Sequence, residues 1–411
     1  LPLIQTVSKF DKRILQWDGA ANEIPTKDNK YIFIDTFARW RISDPLKFYK
    51  AARNERTAQS RLDDVIDGIV RDEISGIVSE RYPNDIVNPD IIQPGLWING
   101  AMIFENDLAS LFQMGKSYTM DDDLLMVSVD RDIKLSEFDA FIKDATSVSS
   151  IVDKTKINYL WDALYANKNQ IFHDSNHFLN MRSGKLHASS ILINDDNIFI
   201  GDNAEVCAGC VLDATEGPII IDEGAIIRIG SMIEGPVYIG KNSKINSGSR
   251  IKEGTSLGPV CKVGGEVENS IFQGYSNKQH DGYLGHSYIG EWVNLGANTN
   301  TSDLKNNYSH IRVQLNKNDI ISTEKMFIGS IIGDFTSTAI STRLNSGTYV
   351  GIGSNIFNDD FQEKYIPPFS WGNKDKVGLN RFIKKCELMM SRRKKTLSES
   401  LKYRLINLWK K

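Results

Sequence analysis

Aliphatic residues recur at every sixth position through the centre of this chain, and this rhythm constrains its fold more than any other feature. The unbroken run is Ile221, Ile227, Ile233, Ile239, Ile245, Ile251, Leu257 and Val263. If roughly one residue in four is Ile, Leu or Val, the chance probability of such a run is on the order of 10⁻⁵. A period of six fits neither a helix nor an ordinary strand. It is typical of a parallel β-helix, in which each hexapeptide supplies one short strand and one turn.

Small and flexible residues occupy fixed places in the same rhythm. Four positions after each aliphatic residue the side chain is small, except at Val237, which fits the tight corners of a triangular coil of about 18 residues. The position directly after the aliphatic residue is often Gly, Asn or Asp, which predicts φ > 0 there. The examples are Asp222, Gly240, Asn246, Gly258 and Gly264. Breaks in the rhythm at about 266–288 and 300–328 predict loops that leave the prism.

Composition narrows the class of protein. The 411 residues are 41% hydrophobic and 25% charged, which predicts more than one soluble domain. The net charge of −3 predicts no nucleic-acid partner, and no apolar run is long enough for a transmembrane segment. With no signal-peptide pattern either, we expect a cytoplasmic protein. Cys207 and Cys210 have redox or zinc spacing but lie inside the hexapeptide register, so we expect a structural role.

The flanking segments have other patterns. Residues 1–78 predict an α+β region with a strand over Tyr31–Ile42 and a helix over 62–77. Residues 79–180 predict a strand over Trp97–Phe104 and a helix that begins at Leu160. Residues 373–411 predict one basic amphipathic helix, which either packs on the end of the prism or meets a membrane or an anionic partner. His173 and His177 have metal-compatible spacing but no third ligand, so no metal site is predicted.

The first 78 residues contain three stretches that resemble one family. These are FDKR at 10–13, IPTKD at 24–28 and DTFARWRI at 35–42. They resemble the protease-modulator branch of the stomatin–prohibitin–flotillin superfamily (SPFH/band 7). That resemblance implies an assembly scaffold without catalytic residues. It leaves open membrane association and a non-enzymatic, membrane-associated function for the chain.

Residues 79–395 contain five further stretches that point to a second family. They are KVGGEV at 262–267, GYSNKQHDG at 274–282, IGEWVNLGA at 289–297, KNNY at 305–308 and PFSWG at 368–372. They resemble the bifunctional N-acetylglucosamine-1-phosphate uridyltransferase/glucosamine-1-phosphate acetyltransferase family of sugar-nucleotide biosynthesis. The resemblance implies a left-handed parallel β-helix at 181–372, a homotrimer, and acyl transfer from acetyl-CoA or another acyl-CoA to an amino-sugar phosphate.

The same resemblance assigns roles to individual residues. It places the catalytic base at His280, where a neutral imidazole can take a proton near pH 7. It places the sugar substrate against Lys278, Tyr283 and Asn294, and the acyl-CoA against Ala297, Ser330 and Ser346. The alternative for His280 is a loop histidine that only forms hydrogen bonds at the subunit seam.

The nucleotidyltransferase half of that family has no complete counterpart. Its glycine-rich phosphate-binding loop is absent from the first 180 residues, so 79–180 resembles a remnant of the domain. A sugar-1-phosphate nucleotidyltransferase remains an alternative function, and Mg²⁺ is expected only if that site were intact. The change of resemblance near Ser79 is compatible with a natural fusion, an artefact or an engineered junction.

Overall fold

The computed structural model describes residues 15–18, 22–25, 31–34, 37–40, 91–92, 94–104, 116–120, 123–144, 146–149, 154–179, 182–358, 360–372 and 375–411. The chain divides into two compact units. The first comprises Leu1–Ile92, Ile133–Ser136 and Thr396–Lys411, and the second comprises Gln93–Asp132 and Glu137–Lys395. The predicted helix over 62–77 and the junction near Ser79 lie outside the described residues.

Four α-helices occur in the described residues. They are α1 (Phe138–Asp144), α2 (Leu160–Ser175), α3 (Leu379–Ser391) and α4 (Glu399–Lys410). The basic helix predicted over 373–411 is present but is not a single helix, because the chain forms α3 and α4 with a break between them. Residues 373–411 are also divided between the units, since α3 belongs to the second and α4 to the first.

The first unit contains antiparallel strand pairs. Leu15–Asp18 pairs with Phe37–Trp40, Asn22–Pro25 with Tyr31–Ile34, and Ile91–Ile92 with Ile133–Lys134. The single strand predicted over Tyr31–Ile42 is therefore wrong, because its two parts pair with different partners.

The second unit begins with a small sheet. Its strand order is Thr146–Ser149, Lys116–Met120, Asp123–Val129 and Gly95–Ile98, and a separate pair joins Met102–Phe104 to Lys154–Lys156. The strand predicted over Trp97–Phe104 is interrupted by a turn at Asn99. There the Asn99 side-chain oxygen accepts from the Ala101 N–H at 3.0 Å, and its carbonyl accepts from the Met102 N–H at 3.1 Å.

The rest of the second unit is a parallel β-solenoid with three faces, as the period of six predicts. The first face comprises Lys185–Leu186, Glu205–Val206, Ile226–Ile227, Lys244–Ile245, Lys262–Val263, Asn277–Lys278, Ser337–Thr338, Asn355–Ile356 and Ser370–Trp371. The second comprises Ile191–Ile193, Val211–Asp213, Met232–Glu234, Arg250–Ile251, Glu266–Glu268, Tyr283–Gly285, Asn300–Thr301 and Arg343–Leu344. The third comprises Ile198–Ile200, Ile219–Ile221, Val237–Ile239, Thr255–Leu257, Ile271–Gly274, Tyr288–Glu291, Ser330–Ile332, Thr348–Val350 and Tyr365–Ile366. Asp375–Lys376 adds an antiparallel strand at the end of the first face.

The aliphatic ladder forms the core of this solenoid. All eight residues from Ile221 to Val263 are 0% exposed and belong to one hydrophobic cluster. Small corner residues tie the coils together, as at Ser231, whose hydroxyl lies 2.9 Å from the carbonyls of Arg228 and Asn246. The predicted parallel β-helix is thereby confirmed.

The glycines that follow the ladder have a different cause from the one predicted. Positive φ occurs two residues later, at Gly224 (66°), Asn242 (56°) and Gly254 (69°). At Gly240 an added Cβ would lie 2.5 Å from the carbonyl oxygen of Leu257 in the next coil. Glycine is required there because adjacent coils approach closely, and the predicted φ > 0 is wrong.

The loop predicted over 266–288 is also wrong. These residues continue the solenoid, and Asn277–Lys278 pairs in parallel register with Lys262–Val263. The register places Lys278 in the inward column beside Val263, and it is 1% exposed. Because a lysine occupies this inward position, the sequence does not show an aliphatic residue there, and the six-residue pattern is interrupted.

The loop predicted over 300–328 does leave the prism. It carries an antiparallel hairpin, Arg312–Gln314 with Ile320–Ser322. Buried residues of the hairpin cluster with Trp161 and Leu164 of α2 and with Ile331 of the third face. Helix α2 begins as predicted at Leu160, because the Asp162 carboxylate accepts from the Asn158 and Tyr159 N–H groups at 2.9 Å each.

Helix α3 is anchored at the corner between the third and first faces. Tyr275, Trp292 and Phe335 stack there on successive coils, with ring centroids 4.4 Å and 6.3 Å apart. Phe382 of α3 meets Phe335 edge-on at 6.2 Å. Leu388, an apolar residue of the same helix, is 58% exposed. The aromatic stack therefore fixes which face of α3 turns towards the solenoid.

Candidate functional site

His280 lies at the corner between the first and second faces. We call residues 279–282, with residues 296–299 of the next coil, the His280 corner. His280 is exposed, and its carbonyl accepts a hydrogen bond from Lys278 Nζ at 3.0 Å. Ala297 belongs to the same corner, where the Asn298 N–H donates to the Asp281 carbonyl at 2.9 Å. The structure thus brings together the predicted base and one residue predicted on the acyl-CoA side.

Lys278 supports this corner from inside the prism. Its ammonium donates to the carbonyls of Gly264, at 2.8 Å, and His280. Burial lowers the pKa of Lys278 to about 8, against the opposing influence of Asp281 and Glu266. Because its nitrogen is enclosed, this geometry favours positioning of the His280 backbone over direct contact with a sugar.

Asn294 lies on the first face and faces a cavity of about 420 Å³. Asn277, one coil below, places its amide nitrogen 3.5 Å from Asn294 Oδ1 and accepts from Arg393 Nη2 at 2.8 Å. Gln279, directly before His280, also lines the cavity. The cavity therefore extends from the first face to the His280 corner.

Tyr283 is held by carboxylates. Its hydroxyl lies 2.6 Å from Glu268 Oε1 and 2.8 Å from Asp303 Oδ2. Burial and these acids raise the pKa of Tyr283. Lys252 lies 3.3 Å from Glu268, so one cation partly balances the two carboxylates. This environment suits an ammonium or hydroxyl group better than the phosphate that the resemblance places here.

His286 is a histidine whose importance the sequence patterns do not indicate. Its Nδ1 lies 2.8 Å from Asp303 Oδ2, and its ring stacks on Phe327 at 5.1 Å. Although burial opposes ionisation of Asp303, hydrogen bonds from His286 and Tyr283 lower its pKa. A carboxylate that orients an imidazole is a common arrangement for proton transfer.

Glu268, His286 and Asp303 could also hold a metal ion, since their ligand atoms lie within 4.8 Å of one another. Tyr283 already contacts both carboxylates, and Lys252 contacts that of Glu268. The three residues are one coil apart along the chain, at 268, 286 and 303. That coil-length spacing is the sequence signal by which the cluster could be found.

Ser330 and Ser346 lie away from the His280 corner of the same chain. Ser330 is fully buried on the third face, where its N–H donates to Ser287 Oγ at 2.9 Å. Ser346 is buried beside Gly347, whose N–H donates to the Gly329 carbonyl at 2.8 Å. Gly329 in turn donates to the His286 carbonyl at 2.8 Å, so both serines belong near His286.

Comparison with known proteins gives different relatives for the two parts of the chain. Residues 1–94 match the profile of the SPFH domain / Band 7 family. Protein HflC of Treponema pallidum is 42% identical over 74 residues, which are 18% of this chain and 22% of that protein. Bifunctional protein GlmU of Methanococcus maripaludis is 35% identical over 218 residues, which are 51% of this chain and 46% of that protein. The chain joins an SPFH-like segment to a GlmU-like segment.

These relatives confirm both resemblances seen in the sequence. The chain spans less than half the length of each of these two curated relatives. A solved Arabidopsis UDP-N-acetylglucosamine acyltransferase covers 52% of this chain and 78% of its own, at 12% identity and a TM-score of 0.21. Among the described residues, no helix has the length and apolarity needed to cross a bilayer.

The GlmU-like segment contains one feature that sequence patterns do not indicate. The cavity that Asn294 faces is also lined by four cations. Lys262 lies on the first face, Lys385 lies on α3, and Arg392 and Arg393 directly follow α3. Only folding brings them together, because Asn277 and its partner Arg393 are 116 residues apart in the chain.

Proposed function

We propose that the GlmU-like segment transfers an acyl group from an acyl-CoA to an amine or hydroxyl group of an amino sugar or related sugar. The observation that carries this proposal is the exposed imidazole of His280 on a rigid corner that borders a polar cavity. The resemblance to bifunctional GlmU proteins supports acetyl-CoA as the donor and an amino-sugar phosphate as the acceptor.

The chemistry needs one proton acceptor and one oxyanion site. Neutral His280 would take the proton from the acceptor amine as its nitrogen attacks the thioester carbonyl. Backbone N–H groups at the corner would stabilise the tetrahedral oxyanion. Its collapse breaks the carbon–sulfur bond and releases the coenzyme A thiolate, which takes the proton back from the imidazolium.

His286 is a second candidate for the base, because within the described residues it has a carboxylate partner, Asp303, and His280 has none. Thiol release from acetyl-CoA with glucosamine-1-phosphate would separate the candidates in wild type, His280→Ala and His286→Ala. We expect a loss of about 10²- to 10⁴-fold for the variant that lacks the base. A normal rate in His280→Ala would remove that residue from the mechanism, and no thiol release by wild type with any amino sugar would refute the proposed activity.

We further propose a homotrimer in which corners of neighbouring prisms meet. His280 and Ala297 lie at one corner of the prism, whereas Ser330 and Ser346 lie near His286, so a site using all four residues requires a second copy. Light scattering would test this proposal, and a monomer with full activity would contradict it.

A scaffold function is proposed for the SPFH-like segment, on the strength of its family match. This segment would assemble or localise the chain without taking part in acyl transfer. Fractionation of the full chain should then recover it in large assemblies or with membranes. Recovery only as a small freely soluble oligomer would contradict the proposal.

A further inference from the structure

The cavity beside α3 concentrates positive charge. It holds about 420 Å³ between the first face and α3, and its lining includes Lys262, Lys385, Arg392 and Arg393. The other lining side chains are amides, a serine, a methionine and two aromatics, so no carboxylate takes part. Two neighbouring acids, Glu291 and Asp334, do not line the cavity. The Glu291 backbone N–H donates to Asp334 Oδ1 at 2.8 Å.

The hydrogen bonds of these cations go to neutral groups. Lys385 donates to the Phe335 carbonyl at 2.9 Å and to Asn355 Oδ1 at 3.0 Å, and Arg393 donates to Asn277. In the described part of the chain, the side chains of Lys262 and Arg392 have neither a hydrogen-bond partner nor an ion-pair partner. Four converging charges without an acid destabilise one another, and a bound anion would relieve that repulsion.

The proton affinities agree with this geometry. Burial, Arg393 and other nearby cations lower the pKa of Lys262. Burial and Arg392 lower the pKa of Arg393, and burial lowers that of Lys385 to about 8. Each group would hold its proton more firmly with an anion beside it.

The cavity also has the shape and the position for a ligand that reaches the candidate base. Tyr275 stacks on Trp292, with ring centroids 4.4 Å apart, and both rings line the cavity. Gln279, Asn277 and Asn294 supply neutral polar groups on the side towards His280. A phosphate bound among the cations would leave the rest of its ligand pointing along these amides.

We propose that this cavity binds the phosphate groups of a ligand used at the His280 corner. The identity of that ligand rests on the proposed acyl transfer, whereas the affinity for phosphate rests on the cavity alone. Two ligands carry the required chemistry, the nucleotide end of coenzyme A and the phosphate of an amino-sugar phosphate. Arginine and lysine clusters bind such groups through charge-assisted hydrogen bonds.

Calorimetric titration of the full chain distinguishes the two sources. Coenzyme A is compared with 3′-dephospho-coenzyme A and pantetheine, and glucosamine-1-phosphate with glucosamine. Inorganic pyrophosphate is the probe that needs no acyl-transfer chemistry. The variants are Lys262→Gln and Arg392→Gln, whose side chains are not fully buried. Lys241→Gln is the matched control, because Lys241 is an exposed cation of the same solenoid that pairs with Glu223 at 3.8 Å.

We expect each cavity variant to weaken pyrophosphate, and the phosphorylated member of one ligand pair, by about tenfold. The control should bind as wild type does. Tighter binding of coenzyme A than of 3′-dephospho-coenzyme A or pantetheine assigns the donor, and tighter binding of glucosamine-1-phosphate than of glucosamine assigns the acceptor. Phosphate binding that the cavity variants weaken, without any thiol release from acetyl-CoA, would keep this site and refute the proposed function. Equal binding by wild type and both cavity variants, or no phosphate binding at all, would overturn the site.

Discussion

Replacing Lys278 by methionine tests how the solenoid tolerates a cation in its core. The side chain is 1% exposed, and its ammonium donates to two carbonyls, those of Gly264 and His280. Burial lowers its pKa from 10.5 to about 8. This lowering of the pKa corresponds to about 3 kcal/mol by which the charged form disfavours folding at neutral pH.

The sign of the pH effect follows from proton binding. Between pH 8 and 10.5 the unfolded chain holds the Lys278 proton more firmly than the folded chain, so stability rises as the pH rises. Integrated from about pH 7 to about pH 10, this one residue adds about 2 kcal/mol to the free energy of unfolding. Methionine has a similar length and does not titrate, so Lys278→Met should lack this increment.

At neutral pH two effects of the replacement oppose each other. Removing the charge relieves about 3 kcal/mol, while two carbonyls lose their donor at a cost of about 1–3 kcal/mol each. We therefore expect a small net change at about pH 7 and a destabilisation that is about 2 kcal/mol larger at about pH 10.

Urea unfolding followed by far-ultraviolet circular dichroism measures this difference. Wild type and Lys278→Met are compared at both pH values, so that other titrating groups contribute equally to both proteins. Lys241→Met, an exposed position, should show no pH-dependent difference from wild type. If the difference between Lys278→Met and wild type is the same at both pH values, the ammonium is not held in the prism interior as described.

Three further results are expected. Ile233→Ala should lower the free energy of unfolding by about 2–5 kcal/mol, whereas Ile229→Ala, at a residue 59% exposed, should change it little. Equal effects of the two replacements in urea unfolding would show that Ile233 does not lie in the core. The pKa of Asp303 is lowered in the folded state, so Asp303 stabilises the fold above its unfolded pKa of about 4 and loses that contribution as the pH falls. The variant Asp303→Asn should therefore show a shallower decline of Tm in acid than wild type. Pyrophosphate affinity should fall as the pH rises through about 8, where Lys385 loses its proton, and calorimetry that finds no such fall would argue against Lys385 as a phosphate ligand.

The period of six was sufficient to predict the solenoid because each inward position is chemically uniform. Ile221 to Val263 repeat one side-chain class, and burial requires nothing else of them. The prediction failed over 266–288, where Phe272 and Lys278 fill inward positions at altered spacing. A buried lysine is compatible with the fold because two backbone carbonyls accept hydrogen bonds from its ammonium. No local sequence pattern indicates those two partners.

The candidate site was predictable in part. The motif around His280 located one corner, while the His286–Asp303 pair depends on which residues stack one coil apart. The cation cavity was beyond prediction from sequence patterns, because Lys262 and Arg393 meet only through the docking of α3. Residues of the aromatic stack decide that docking, and they are far apart in the sequence.

The aromatic corner has a consequence for when the protein becomes competent during synthesis. Coils can form in order as the chain emerges from the ribosome, since each packs only on its neighbours. The anchor Phe382 and the cations Lys385, Arg392 and Arg393 belong to the last 30 residues of the 411. A nascent chain would therefore carry a finished prism and the His280 corner before it could retain a phosphorylated ligand. Loss of Phe382 and the residues that follow it by proteolysis would likewise leave the prism and the His280 corner without three cations of the cavity.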